Sequence, residues 1–264
     1  MEMSPSQSPD KTSGKLSIVG LGPGSEMMLT GQAVFAIKNA SIIIGNSFYL
    51  DQITSLTEGK QIIKSSMGKE VDRAKESVRL AETDNVAMVS GGDPGIYGMA
   101  GIVLEVLEKS NKDILFEVIP GVTAASTGAS LLGSPLSGDF CVISLSDLLT
   151  PWTVIEKRLH AAFSMQIPVV LYNPKSRTRT EQFMIAMKIA GEYLCGTTPI
   201  GIVKNASRDG QKVHVSTLGK ADEVEDLVDM HSVVFIGGNE SRIWRMKDDI
   251  GIITPRGYHT KYVY

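Results

Sequence analysis

Short apolar runs bounded by glycine, proline and asparagine alternate along this chain with stretches in which apolar residues recur every three or four positions. Leu16-Ser17-Ile18-Val19 and Val86-Ala87-Met88-Val89 read as buried strands, and each runs straight into a glycine-rich turn. Between them, Leu29, Ala33, Ala36, Ile37 and Ala40 mark one face of a helix near 30–40. Ser41–Ile44 reads as a strand, and Val71, Ala74, Val78 and Ala81 mark a second helix. Met99, Ile102, Val103, Val106 and Leu107 then recur at helical spacing. Ile114–Ile119 follows as a strand, and Pro120-Gly121-Val122-Thr123-Ala124-Ala125 opens a helix that runs to about Leu132.

The segment Gly133-Ser134-Pro135-Leu136-Ser137-Gly138 is dense in turn formers and is the best domain boundary. Beyond it the pattern restarts. Phe140–Leu145 reads as a strand, Trp152, Ile155, Leu159 and Phe163 as a helix face, and Val169–Tyr172 as a strand. A helix over 178–190, strands Ile200–Val203 and Lys212–Leu218, a short acidic helix near 221–229 and strand Val233–Ile236 complete it. The alternation predicts an α/β protein with two α/β domains, 14–136 and 137–252. Both sheets are expected to be mainly parallel, with some hairpin pairing late in the second. Residues 1–13 read as a disordered polar tail and 253–264 as a C-terminal tail.

Composition changes this picture little. The 264 residues are 42% hydrophobic and 21% charged, as in ordinary globular proteins. A net charge of −3 argues against a nucleic-acid partner bound through a broad basic surface. Cys141 and Cys195 lie far apart, and four scattered histidines add no metal spacing, so no metal site is expected. Cys141 reads as mid-strand core packing. No apolar stretch is long enough to span a bilayer and no signal-peptide core opens the chain, so the expectation is a cytoplasmic protein with no membrane partner.

Two glycine turns carry the candidate chemistry. Gly20-Leu21-Gly22-Pro23-Gly24 lacks the spacing of a dinucleotide fingerprint, no Gly-Lys-Ser/Thr follows either turn, and taken alone the turn reads as structural. Gly91-Gly92-Asp93-Pro94-Gly95-Ile96-Tyr97-Gly98 holds more than a simple turn needs. Gly91 and Gly92 offer bare backbone, and Asp93 offers a carboxylate to a hydroxyl or amine. The plain alternative is an Asp-Pro-Gly turn in which Asp93 bonds its own backbone. The helix start at Thr123 and Ala124 presents unpaired amides, to a ligand or merely to a cap. Two polar strand ends follow, Tyr172-Asn173-Pro174-Lys175-Ser176-Arg177-Thr178-Arg179 and Lys204-Asn205-Ala206-Ser207-Arg208. Joined by Lys64, Lys69 and Arg73, these cations fit a polycarboxylate if they face a cleft, and are otherwise solvated loop charges. No nucleophile–base pair stands out.

In this order the motifs resemble the tetrapyrrole (corrin/porphyrin) methyltransferases over about residues 15–250. The anchors are Val19–Gly24, Ser90–Gly98, Pro120–Ala125 and the strand ends at Tyr172 and Lys204. The stretch Asp139–Trp152, with Leu171-Tyr172-Asn173-Pro174, is similar to the branch that methylates precorrin-3B or cobalt-factor III at C17 in cobalamin biosynthesis. The resemblance implies two α/β domains, a homodimer, and S-adenosylmethionine bound in a cleft between the domains, leaving S-adenosylhomocysteine as product. It implies cofactor contacts at Pro23, Gly91, Gly92, Asp93, Ile96, Thr123, Ala124, Asn173 and Ala206. Lys175, Arg177 and Arg179 would hold the acetate and propionate groups of a tetrapyrrole substrate. Ser66, Asp139, Lys204 and Arg208 are acid–base candidates for the accompanying ring contraction. Relatives commonly carry a histidine where this chain has Gly138. The rival readings are a sister methylase acting at another corrin carbon and a non-catalytic S-adenosylmethionine-binding regulator.

Overall fold

A computed structural model describes residues 14–263, and the segment read as a tail at 1–13 lies outside them. The chain divides into two compact units, the first ending at Thr123 and the second beginning at Ala124.

The first unit contains β1 (Lys15–Gly20), α1 (Gly31–Asn39), β2 (Ile42–Asn46), α2 (Ser47–Leu50), β3 (Gln61–Ser65), α3 (Glu70–Leu80), β4 (Asn85–Ser90), α4 (Ala100–Ser110) and β5 (Leu115–Ile119). Its sheet has the order β3-β2-β4-β1-β5, and every pairing in it is parallel. Period-two alternation sorts the side chains to two faces. Leu16, Ile18, Ile42, Ile44, Val86 and Met88 pack on Ala74 and Val78 of α3 and Val103 of α4, whereas Val19, Ile43, Ala87 and Val89 pack on Ala33 and Ile37 of α1. The helix faces differ from the expected ones at Val71, which is exposed, because α3 turns Arg73, Ala74, Ser77 and Val78 inward.

Neighbouring strands β1 and β4 therefore send their onward connections to opposite faces, α1 to one and α4 to the other. That is a topological switch point, where the loops beyond the strand ends part and leave a crevice. The two glycine turns singled out in the sequence are the loops that leave these two strands.

The second unit contains α5 (Ala124–Leu132), β6 (Gly133–Ser134), β7 (Cys141–Ser144), α6 (Trp152–Ser164), β8 (Val169–Tyr172), α7 (Gln182–Gly191), β9 (Pro199–Lys204), β10 (Lys212–Thr217), α8 (Ala221–Val224), β11 (Ser232–Ile236), β12 (Arg242–Met246) and β13 (Asp249–Ile253). The turn-rich segment at 133–138 does not part the units, because the helix before it belongs here. Ala125 and Leu132 of α5 are buried with Val170, Val203, Phe235 and Ile252.

The five-stranded sheet of this unit, β10-β9-β11-β8-β7, corrects the expectation of mainly parallel pairing: only β7 and β8 pair in parallel. The succession β7-α6-β8-α7-β9 does give three strands of one direction. β11 then inserts between β8 and β9 running the other way, and β10 returns on β9 as a hairpin. Helix α7 starts at Gln182 rather than 178, since a turn closed by Ser176 N–H to Arg179 O at 2.9 Å holds the preceding residues. The acidic segment after 221 is helical only to Val224 and then tightens into a 3₁₀ turn, Glu225–Leu227. Cys141 opens β7 rather than sitting mid-strand, and is only partly buried.

A small three-stranded sheet, β12-β13-β6, completes the unit. It fixes the beginning of the segment read as a C-terminal tail. Buried Thr254 donates its N–H to Ser134 O at 3.0 Å and its hydroxyl to Pro135 O at 2.6 Å. Among the described residues no helix is long and apolar enough to cross a membrane.

Candidate functional site

Backbone locks backbone at the switch point of the first unit. Leu21 N–H donates to Ser90 O at 2.9 Å, Gly22 N–H to Gly92 O at 3.1 Å and Gly92 N–H to Gly22 O at 2.8 Å. A β-carbon on Gly20 would stand 2.5 Å from Gly121 N, and one on Gly121 would overlap the Gly92 carbonyl oxygen. The loops leaving β1, β4 and β5 thus pack glycine on glycine. The first turn is structural, as it reads alone, and what it holds is the second.

Asp93 fastens the third loop. One carboxylate oxygen accepts the Gly95 N–H at 2.8 Å and the other the Gly121 N–H at 3.1 Å. The first bond is the Asp-Pro-Gly turn offered as the plain alternative; the second ties β4's loop to the loop after β5. Each carboxylate oxygen keeps a second acceptor position, so it has the capacity to accept from a ligand hydroxyl or amine as well as from these amides. Gly92 takes φ +64° with open space where a side chain would project, Ile96 is exposed, and Pro23 is buried. Bare backbone edges, spare acceptor sites and one apolar side chain suit a nucleoside-sized ligand.

The cations expected around this unit are already paired. Lys64 contacts Asp51 at 3.0 Å and Lys69 contacts Asp72 at 3.3 Å, while Arg73 is buried rather than presented to solvent. Ser66 is exposed, and its carbonyl accepts from Arg73 at 3.4 Å.

In the second unit, α5 starts at Ala124, one residue after Thr123, and the Tyr172 hydroxyl at the end of β8 accepts the Ala125 N–H at 2.8 Å. Sequence reasoning missed this cap; an aromatic with a polar tip at a strand end was its only signal. Tyr172→Phe should leave that amide without its partner and lower stability by about 1–2 kcal/mol, measured by denaturant unfolding.

Asn173 then turns the chain at φ +50°, its amide donating to Ser144 Oγ at 3.0 Å. Its carbonyl accepts from Arg179 at 2.6 Å, and Arg179 also reaches Ser146 Oγ at 3.4 Å and Asp147 at 3.9 Å. Burial pulls the Arg179 guanidinium below its ordinary pKa, with Asp147 opposing. Lys175 donates to the Glu225 carboxylate at 2.8 Å and to its carbonyl at 3.2 Å. Two of the three cations expected to grip substrate therefore bind the protein's own loops. Arg177 is exposed.

At the end of β9, Lys204 pairs with Asp229 at 2.5 Å. Burial works against the Asp229 carboxylate, yet Lys204, the His231 N–H and the Ser232 hydroxyl together hold its pKa below the usual range. The pair's contribution is therefore present at neutral pH and is lost as pH falls through that lowered pKa. Ala206 is buried between Asn205 and Ser207, whose φ values are +51° and +58°, and the Arg208 N–H closes the turn on Asn205 O at 2.9 Å. Asp139 is exposed beside Gly138, where an added β-carbon would meet open space.

Two α/β units, the first with glycine loops clasped at a switch point, define a protein built to hold a small molecule at strand ends. The chain belongs to the tetrapyrrole (corrin/porphyrin) methylases, whose family model matches residues 15–222. It is 43% identical to the probable cobalt-factor III C(17)-methyltransferase of Salmonella typhimurium, over 92% of this chain and 99% of that one. It is 46% identical to the cobalamin biosynthesis protein CbiHC of Archaeoglobus fulgidus, over 94% of this chain but 54% of the relative, so it spans about half of that protein. The crystal structure of the methyltransferase CobJ superposes with a TM-score of 0.85 at 32% identity, covering 92% of this chain and 100% of that one.

Proposed function

We propose that the protein methylates a corrinoid precursor, precorrin-3B or cobalt-factor III, at C17 with contraction of the macrocycle, using S-adenosylmethionine. The observation that carries this reading is the clasp of Gly22, Gly92, Asp93 and Gly121, in a chain of this family. When bound, the cofactor supplies an already activated methyl group, so the residues are asked chiefly to position and to exclude water. Gly91, Gly92 and Asp93 give it bare backbone and a carboxylate, Ile96 an apolar contact, and Pro23 and Thr123 frame the loops.

Arg177 is the cation we assign to a substrate carboxylate, with Lys175 and Arg179 holding its loop. Of the acid–base candidates Ser66, Asp139, Lys204 and Arg208, we assign Ser66 and Asp139 to move a proton during contraction, since Lys204 is engaged by Asp229 and an arginine stays protonated. The protein is proposed to work as a homodimer in the cytoplasm.

Incubating purified protein with labelled methyl donor and each of the two tetrapyrroles tests the assignment. A labelled, ring-contracted product from one of them is expected; a product methylated at another carbon would favour a sister methylase, and cofactor binding with no product a regulator. Arg177→Ala should weaken tetrapyrrole binding by about 1 kcal/mol, roughly fivefold in Kd, while S-adenosylhomocysteine affinity in calorimetry stays unchanged.

A further inference from the structure

Arg73 has a role in neither of the chemistries above, yet its place is unusual. It sits on the inner face of α3 with Ala74 and Val78, and its side chain is 4% exposed. One terminal nitrogen donates to Ser65 Oγ at 2.5 Å and to Ser66 O at 3.4 Å. The other lies 3.2 Å from Met99 Sδ and 3.7 Å from Glu70, a carboxylate that is itself 40% exposed. Its Nε is buried with no partner among the described residues. A cation so placed costs desolvation, and its partners, two oxygens of the Ser65-Ser66 segment, a thioether and one half-exposed carboxylate, still leave Nε unmet among the described residues. A methionine would fill a similar volume on the helix face shared with Ala74 and Val78 without a buried charge. Stability alone therefore does not account for an arginine here.

What it connects does. Ser65 ends β3 and donates onward to Gly45 O of β2 at 3.3 Å. Met99 closes the loop that begins at Gly91, and its N–H bonds Ser90 Oγ, where that loop leaves β4, at 3.3 Å. Tyr49 of α2 packs so closely on Gly91 that a β-carbon there would overlap its ring. We infer that Arg73 is a positioning residue. It pins the closing end of the Gly91–Met99 loop to the end of β3, and so holds the Gly91–Asp93 backbone at the height the cofactor needs. This inference rests on the reading of that loop as cofactor-binding.

Calorimetry with S-adenosylhomocysteine on the full chain, alongside thermal melts, separates this role from a structural one. Arg73→Met should melt at or above the wild-type temperature, since it removes a buried charge, yet bind about tenfold more weakly. Wild-type affinity in that variant overturns the inference, as does a loss that merely follows a lowered melting temperature. Where Arg73→Met does not fold, Arg73→Lys decides, because an ammonium offers one nitrogen where the guanidinium uses two, one for Ser65 and one for Met99. A similar loss at unchanged melting temperature supports positioning, and unchanged affinity overturns it. Failure of the wild-type protein to bind S-adenosylhomocysteine would instead sink the cofactor reading itself.

Discussion

Gly121→Ala is expected to abolish binding of S-adenosylhomocysteine and to cost the first unit about 3 kcal/mol or more of stability. The reason is where the new methyl group would go. It would overlap the Gly92 carbonyl oxygen and stand 2.9 Å from both Cα and C of Gly20. All three neighbours are backbone, so no rotamer change relieves the clash, and the loops of β1, β4 and β5 must separate. Two other glycines give graded controls. Gly92→Ala meets nothing within 4 Å but must adopt φ +64°, a conformational strain of about 1–2 kcal/mol. Gly138→Ala has open space and ordinary φ, and should stay within about 0.5 kcal/mol of wild type. Denaturant unfolding and calorimetry on the three variants would rank them; a Gly121 variant no worse than the Gly138 one would refute the backbone clasp.

That clasp was half legible before the structure. Strands β1, β2 and β4 are buried on both faces, so they appear as continuous apolar runs, and the glycines at their ends stand out. β3 does not, because Gln61 and Lys64 are exposed on a strand at the sheet edge. The hairpin of β12 and β13 is equally mute. Arg242, Met246 and Asp249 are exposed, and the turn runs through Lys247 at φ +55° with no glycine to announce it. Direction was harder than existence. Strand–helix alternation gives the orientation of β7, β8 and β9 but says nothing of a later strand slipping between two of them.

For the loops around the candidate site, residue type sufficed where a contact is local, as with the Asp93–Gly95 turn. It failed where a cation's partner is distant in sequence. Lys175 is spoken for by Glu225, Lys204 by Asp229, and Arg179 by the carbonyl of Asn173 and the Ser146–Asp147 segment. A run of basic residues after a strand therefore looks like a binding surface until folding shows how much of it the protein uses on itself.

Asp93→Asn should be nearly as damaging as the loss of Gly121. Both carboxylate oxygens are occupied by backbone amides, Gly95 on one and Gly121 on the other, so the charge is shared between two loops. Asparagine keeps the shape but has one acceptor oxygen; its NH₂ must then face an N–H, donor against donor. One hydrogen bond to a charged group is lost, worth about 1.5–3 kcal/mol, and the surviving one becomes neutral and weaker. Asp93→Ala frees both amides and should cost more in stability. It also removes the spare acceptor positions, so S-adenosylhomocysteine binding should fall by about a hundredfold or more, against about tenfold for asparagine. The order wild type, Asn, Ala should hold in both melting temperature and calorimetric affinity. Were the asparagine variant to bind with wild-type affinity while melting lower, Asp93 would be a loop brace alone, and the carboxylate would have no place in ligand recognition.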